Sequence, residues 1–316
     1  MSRSLEVKGD NNVVQIFWAL WDEKSLVLLG GALGLILSLL VSISMPDIYQ
    51  ARALLAPRSD ASGSSISGLV SQYSGLASLA GINLGGVGGE GLSRSKIAQE
   101  RLKSLVLFEE NLYDQLVLDL MATEDWDPYA NSLIYDPKIF DSARNVWVRE
   151  VSHPRSPKPS IQEAHEAFLE RLSISEDSKS GLISIALEHH SPHVAQSWLN
   201  LLIERVSEDS RSRDIREAED SIAFLQMQRE QTDLVSLDGI FAQLIEEQTK
   251  TIMLANVYKN YVFEIIDPPI APELKLRPQR VLICLLSTII GLFLGASVAV
   301  LRIFVSERAG PDPSVI

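Results

Sequence analysis

Leu26 to Met45 reads LVLLGGALGLILSLLVSISM, and no charged residue interrupts it. Near the other end, Val281 to Leu301 reads VLICLLSTIIGLFLGASVAVL, again without a charge. Each run is about 20 residues, roughly 30 Å as a helix, which matches the hydrocarbon core of a bilayer. The alternative for either run is a buried core helix. Two uncharged runs of span length at opposite ends of one chain favour membrane crossing over it. A cleaved secretory signal is a second alternative for the first run, since Ser42-Ile43-Ser44 loosely resembles a small-x-small cleavage site. That run is too long for a typical signal core, and Asp22 and Glu23 stand beside Lys24 just before it.

Two spans place both termini on one side and residues 46–280 on the other. Basic flanks do not orient them. Lys8, Lys24, Arg302 and Arg308 border the outer ends, while Arg52, Arg58, Lys275, Arg277 and Arg280 border the loop. Long loops translocate largely regardless of charge. The tails are short and the loop holds nearly all foldable sequence, so the loop is expected to be extracytoplasmic. It carries 23 basic and 35 acidic residues, a net of −12 within a chain of −13. A surface of that sign does not seek nucleic acid. Cys284, the only cysteine, lies in the second span, which excludes an intramolecular disulfide.

Within the loop, Ile48 to Pro57 (IYQARALLAP) is strand-like, and Arg58 to Ser67 reads as a loop. Ser93 to Leu120 has helical spacing, with Ile97, Leu102, Leu105, Leu107 and Leu112 as core candidates. Trp126 and Pro128 punctuate Glu124 to Tyr135, and SHPRSPKPS (Ser152 to Ser160) is an extended connector. Ser160 with Glu163 has capping-box spacing before a helix to Leu172. GLISIALEH (Gly181 to His189) alternates as a strand, and Ser191-Pro192 then caps and opens a helix.

From Pro192 no Pro or Gly occurs until Gly239. Val194, Trp198, Leu201, Leu202 and Val206 line one face; Ile215, Ala218, Ile222 and Leu225 resume it beyond the polar run Ser207 to Asp214. About 40 helical residues would extend some 60 Å. A second helix is predicted over Asp233 to Tyr258, with a break near Asp238-Gly239. YVFEIIDPP (Tyr261 to Pro269) is a short strand, followed by the proline-rich DPPIAPELKLRP. The strands flanking the two spans are expected to pair in one membrane-proximal sheet carrying a projecting helical arm. The apolar stripe of that arm, Ile215, Ala218, Ile222 and Leu225, is expected to face another copy.

The expected fold class is therefore an α+β membrane protein, two transmembrane helices flanking an extracytoplasmic α/β base with a long helical arm. The divisions are a tail over 1–25, a span over 26–45, base and loop region over 46–190, and the arm and return helix over 191–260. A strand and proline-rich return follow over 261–280, then a span over 281–301 and a tail over 302–316.

Gly86-Val87-Gly88-Gly89-Glu90-Gly91 satisfies G-x-G-x-x-G by letter. A dinucleotide fingerprint needs a buried strand before it, and the preceding GLASLAGINL is made of small residues. A phosphate loop needs Lys where Leu92 stands. No nucleotide cofactor is expected. His189-His190-Ser191-Pro192-His193 lacks cysteine and reads as solvated histidines at a strand-to-helix junction rather than a zinc site. Glu163 to Glu166 (EAHE) has Leu169 where a zinc protease needs its second His. There is no Gly-x-Ser-x-Gly elbow. Glu208, Asp209, Asp214, Glu217, Glu219 and Asp220 read as a solvated helix face. No catalytic set, cofactor or metal is expected. The spans each hold G-x-x-x-G, Gly30 with Gly34 and Gly291 with Gly295, a spacing that lets helix backbones approach in lipid.

The ordered set of segments resembles one family, the Wzz-type O-antigen chain-length determinants, or polysaccharide co-polymerases. MPDIYQARALLAP (Met45 to Pro57) looks like the family's exit from the first span. GLASLAGINLGG (Gly75 to Gly86) is similar to its glycine- and serine-rich segment, and GLISIALEHHSPHVAQSWLN (Gly181 to Asn200) to its strand and long-helix start. LIEEQTKTIMLANVYKNYVFEIIDPPIAPELKLRPQR (Leu244 to Arg280) is similar to its last helix, strand and proline-rich return. Pro269 stands where the family usually has Ala, and Ser191 where Asp commonly precedes the helix-opening Pro, departures of local geometry.

The resemblance implies a periplasmic α/β base, both tails in the cytoplasm, and a homo-oligomeric ring in the bacterial inner membrane. It implies a non-enzymatic regulator of lipopolysaccharide chain length, with a Wzy-type polymerase, lipid-linked polysaccharide and membrane lipid as partners. Pro268, Pro272, Pro278 and Arg280 are expected to fix the chain's return to the membrane. The kinase-bearing branch is unsupported, because the fifteen residues after Leu301 hold no phosphate loop. A two-span sensor or receptor and a capsule or exopolysaccharide export component are the competing readings; the first needs a cytoplasmic output module.

Overall fold

The structure is a computed structural model that describes residues 24–58, 94–231 and 235–308. The glycine-rich stretch around Gly86 lies outside the described residues. In chain order the elements are α1 (Lys24–Ser44), β1 (Tyr49–Pro57), α2 (Arg94–Leu102), α3 (Leu105–Asn111) and α4 (Tyr113–Ala122). Then come β2 (Thr123–Asp127), β3 (Ser132–Tyr135), β4 (Phe140–Asp141), β5 (Val146–Trp147), α5 (Ile161–Arg171), β6 (Leu172–Glu176) and β7 (Ile183–His189). The chain closes with α6 (Pro192–Glu230), α7 (Val235–Val257), β8 (Phe263–Asp267) and α8 (Arg280–Arg308). Two compact units result, one up to Asp47 and from Lys275 onward, the other Ile48–Leu274.

In the first unit α1 and α8 pack as a helical pair. Both are long and apolar enough to cross a membrane. Most of their large apolar side chains are exposed, among them Leu29, Leu33 and Leu37 of α1 and Leu282, Ile290 and Leu294 of α8. A soluble core helix would hide that surface, so the exposed leucines of α1 and α8 need lipid around them.

In the second unit a four-stranded antiparallel sheet has the order β6-β7-β1-β8. The strands next to the two spans are neighbours, as expected: β1 pairs β8 from Leu54↔Asp267 to Pro57↔Phe263, with a register shift between Leu54 and Leu55. On its other side β1 pairs β7 from Tyr49↔His189 to Leu55↔Ile183. Period-two alternation sends Ala51, Ala53 and Leu55 to the same buried side as Ile183, Ile185 and Leu187. Ala195, Trp198, Leu199 and Leu202 of α6 complete that core, and Phe108 of α3 meets Phe168 of α5 at 5.2 Å between ring centroids. Each fully buried Leu or Phe here contributes about 1.5–3 kcal/mol.

The caps form as the sequence predicts. Glu163 N–H donates to Ser160 Oγ at 3.2 Å while Ser160 N–H donates to Glu163 Oε2 at 3.0 Å. Pro192 occupies the first turn of α6, and Ser191 Oγ accepts from Val194 N–H.

Other expectations are corrected. The helical spacing read over Ser93 to Leu120 is met from Arg94 onward by three helices, α2, α3 and α4, and the breaks between them reset the helical phase. Leu102, Leu107 and Leu112 are buried, whereas Ile97 and Leu105 are exposed. Glu124 to Tyr135 forms the β2–β3 hairpin, turned through Asn131 at φ 48. The short polar strands β2 and β6 carry little periodic signal and are fixed by their pairing partners. The long helix ends at Glu230, and Asp238-Gly239 falls inside α7 rather than at a break. A single Gly costs a helix only about 1 kcal/mol, and the rest of that helix outweighs it.

The polar run Ser207 to Asp214 is not simply a solvated face. Ser207 and Ser210 are buried. Arg101 of α2 reaches Asp209 at 3.6 Å and Ser210 Oγ at 3.4 Å, and Tyr261 Oη donates to Asp214 at 2.9 Å. Small serines there give α2 room to approach α6.

Candidate functional site

The four span glycines meet. A Cβ built on Gly30 would stand 2.5 Å from the Gly291 carbonyl oxygen and 2.9 Å from Gly295 Cα. One on Gly34 would stand 2.6 Å from the Ser287 oxygen, and one on Gly295 would stand 2.9 Å from Val27 Cα. Gly291 returns the contact against the Gly30 carbonyl. Backbone touches backbone along this line, so dispersion contacts hold the pair where no hydrophobic drive exists.

At one end of the pair sits a residue that sequence reading missed. Asp47 accepts from Lys275 Nζ at 3.0 and 3.1 Å and from Arg280 Nη2 at 3.0 Å. A lone aspartate after Pro46 carries no motif; only the meeting of the two span ends gives it a role. Of the prolines assigned to the chain's return, Pro278 is buried beside a cis Arg277–Pro278 bond, Pro272 is half-buried and Pro268 is exposed. Pro269, not Pro268, is the buried member of its pair, and Gln196 Nε2 donates to its carbonyl at 3.0 Å.

In the other unit α6 and α7 form a helical hairpin. At its turn Arg229 pairs with Asp238 through both carboxylate oxygens. Arg229 holds that carboxyl below the usual aspartate range. The arm residues assigned to a partner copy are redistributed. Ala218 is buried within the chain, and Ile215, Ile222 and Leu225 are half-buried. Among the described residues of the distal arm, Phe224 and Met227 are large apolar side chains left open, at 58% and 55% exposure. Leu225 and Met227 are two residues apart and so lie on opposite sides of α6.

His189 corrects the reading of solvated histidines. It is buried at the end of β7, its ring 4.7 Å from that of Trp198. Its Nδ1 accepts from Ser191 N–H at 3.0 Å, and its Nε2 lies 3.3 Å from the Asp119 carbonyl. Burial, with Arg171 nearby, pushes its pKa down to about 3, so the ring is neutral. Tyr135 Oη donates to Asp119 at 2.7 Å; burial raises both groups. These polar groups satisfy one another and lock the junction of α4, β3, β7 and α6. His193 is exposed and His190 half-buried. Glu163, held low chiefly by Arg149 at 2.7 Å, is likewise a structural anchor. Among the described residues no group of three His, Cys, Asp or Glu could hold a metal ion.

Two family models match this chain. "Chain length determinant protein" matches residues 10–119, and "G-rich domain on putative tyrosine kinase" matches residues 224–304. A full-length bacterial polysaccharide co-polymerase of solved structure is similar over 92% of this chain and 97% of its own, at 11% identity and a TM-score of 0.39. A fragment of WzzB, a polysaccharide co-polymerase from Salmonella Typhimurium, is similar over 73% of this chain and all of its own, at 14% identity and a TM-score of 0.32. No curated protein matches. The first family match takes in α1, β1 and the helices that follow, and the second takes in α7, β8 and most of α8. Over residues 10–119 the chain is thus similar to the chain length determinant proteins, and over residues 224–304 to the G-rich domain.

Proposed function

We propose that this protein is a non-enzymatic regulator of lipopolysaccharide O-antigen chain length. It acts as a homo-oligomeric scaffold in a bacterial inner membrane beside a Wzy-type polymerase and its lipid-linked polysaccharide. In this reading residues 46–280 lie in the periplasm and both tails in the cytoplasm. The chain length determinant match over residues 10–119 carries the reading. It is supported by the open apolar side chains Phe224 and Met227 on the arm, a surface that a sibling copy would shield from water.

Deleting the gene tests it. The lipopolysaccharide ladder on a gel should lose its modal length and spread toward random lengths, and plasmid-borne protein should restore it. An unchanged ladder refutes the O-antigen assignment.

The G-rich domain match over residues 224–304 favours a second substrate, a capsule or exopolysaccharide. In that case the same deletion leaves the lipopolysaccharide ladder intact and alters the size distribution of the shed or capsular polymer.

A further inference from the structure

Beside the glycine contact, α1 and α8 leave an open apolar groove of about 480 Å³. Leu33, Leu37 and Val41 form one wall; Ile283, Ile290 and Leu294 form the other. Val41 lies three residues before the end of α1, and Ile283 three after the start of α8. The groove therefore opens at the end of the pair where Asp47 joins Lys275 and Arg280. It runs down to Gly30 and Leu294, eleven residues on either wall, about 16 Å. That is the depth of one leaflet, about half of a 30 Å hydrocarbon core. A sibling's whole span would need a groove twice as long.

The mouth is cationic. Glu273 to Leu282 reads ELKLRPQRVL, three cations and one carboxylate, against the single Asp47 of the facing chain segment. Lys275 and Arg280 keep 35% and 43% of their side chains exposed while bound to Asp47. An ammonium and a guanidinium can each donate further hydrogen bonds to phosphate oxygens.

We propose that this groove is a binding site for an anionic phospholipid of the loop-side leaflet, one acyl chain lying along Leu33, Leu37 and Leu294 and the phosphate held by Lys275 and Arg280. The site requires the two helices to lie in a bilayer, and it is independent of which polysaccharide the protein controls.

Native mass spectrometry of the full chain from detergent tests it, with dioleoyl phosphatidylglycerol and dioleoyl phosphatidylcholine as probes. The wild-type protein should retain phosphatidylglycerol about tenfold over phosphatidylcholine. Each of Lys275→Gln and Arg280→Gln should reduce that preference about fivefold. Leu37→Trp, which fills the groove from an exposed position, should reduce retention of both lipids at unchanged subunit number. Millimolar inorganic phosphate should not displace the bound lipid. Equal retention of the two lipids by wild type, or an unaltered preference in both charge variants, overturns the proposal. So does displacement by free phosphate. A Leu37→Trp protein that keeps its lipid and changes subunit number assigns the groove to a second copy, which also overturns it.

Discussion

Asp47 and Arg280 are 233 positions apart in the chain and meet at 3.0 Å, the carboxylate just past the first span against the first residue of the second helix. Lys275 joins the same carboxylate at 3.0 Å. One aspartate thus ties the chain's exit from α1 to its return into α8. Asp47 is 31% exposed and Arg280 43%, so solvent screens the pair. Asp47→Ala should lower stability by about 1 kcal/mol or less. A double-mutant cycle with Arg280→Gln, read by denaturant unfolding in micelles, should give a coupling of about 0.5 kcal/mol. A coupling of zero would mean that the bond does not hold the span ends together.

The glycine contact should be far less tolerant. A Cβ at Gly30 would stand 2.5 Å from a backbone oxygen that cannot swing aside. Gly30→Leu should force α1 and α8 apart and destabilise the pair by about 1–3 kcal/mol, as overpacking does elsewhere. Gly30→Ser should already show a loss, because the first carbon makes the collision. Thermal unfolding in detergent reads both. A Gly30→Leu protein as stable as wild type would show that the spans do not pack along this line.

His189 makes stability depend on pH. Its folded pKa lies near 3 and its unfolded value near 6.5, so the unfolded chain binds the extra proton between those values. Stability from this group is full above pH 6.5 and falls as pH drops toward 3, by at most about 1.4 kcal/mol per pH unit. Glu163, whose pKa is lowered, adds loss in the acid range, whereas Asp119, whose pKa is raised, acts the other way. His189→Gln should start less stable at pH 7.5, because Gln leaves a void beside Trp198. Its melting temperature should then fall less than that of wild type between pH 6.5 and 4.5. Parallel profiles for the two proteins would show that His189 is not the group that titrates.

The arm separates two kinds of surface. Ala218 is buried inside the chain, and Phe224 and Met227 are open. Ala218→Leu should destabilise the α6–α7 hairpin by about 1–3 kcal/mol. The double variant Phe224→Ser, Met227→Ser should leave the melting temperature of the chain within a few degrees and reduce the assembled mass seen by light scattering. An unchanged mass would remove these two residues from any contact between copies.

How far the sequence carried this protein differs from residue to residue. The two spans, the strands beside them, the capping box at Ser160 and the Ser191-Pro192 helix start were all legible, because each depends on residues within one or two turns of chain. The glycine spacing was legible too, although not which helix it would meet. Asp47, His189 and Ala218 were not. The chemistry of each is ordinary in isolation, and its surroundings come from segments dozens to hundreds of positions away: Lys275 and Arg280 for the first, Asp119 for the second and the return helix for the third. Local hydropathy and periodicity set where the elements lie, since those patterns repeat along the chain itself. Burial and ion pairing belong to surfaces that exist only once distant elements have packed, and the tertiary structure alone decided them.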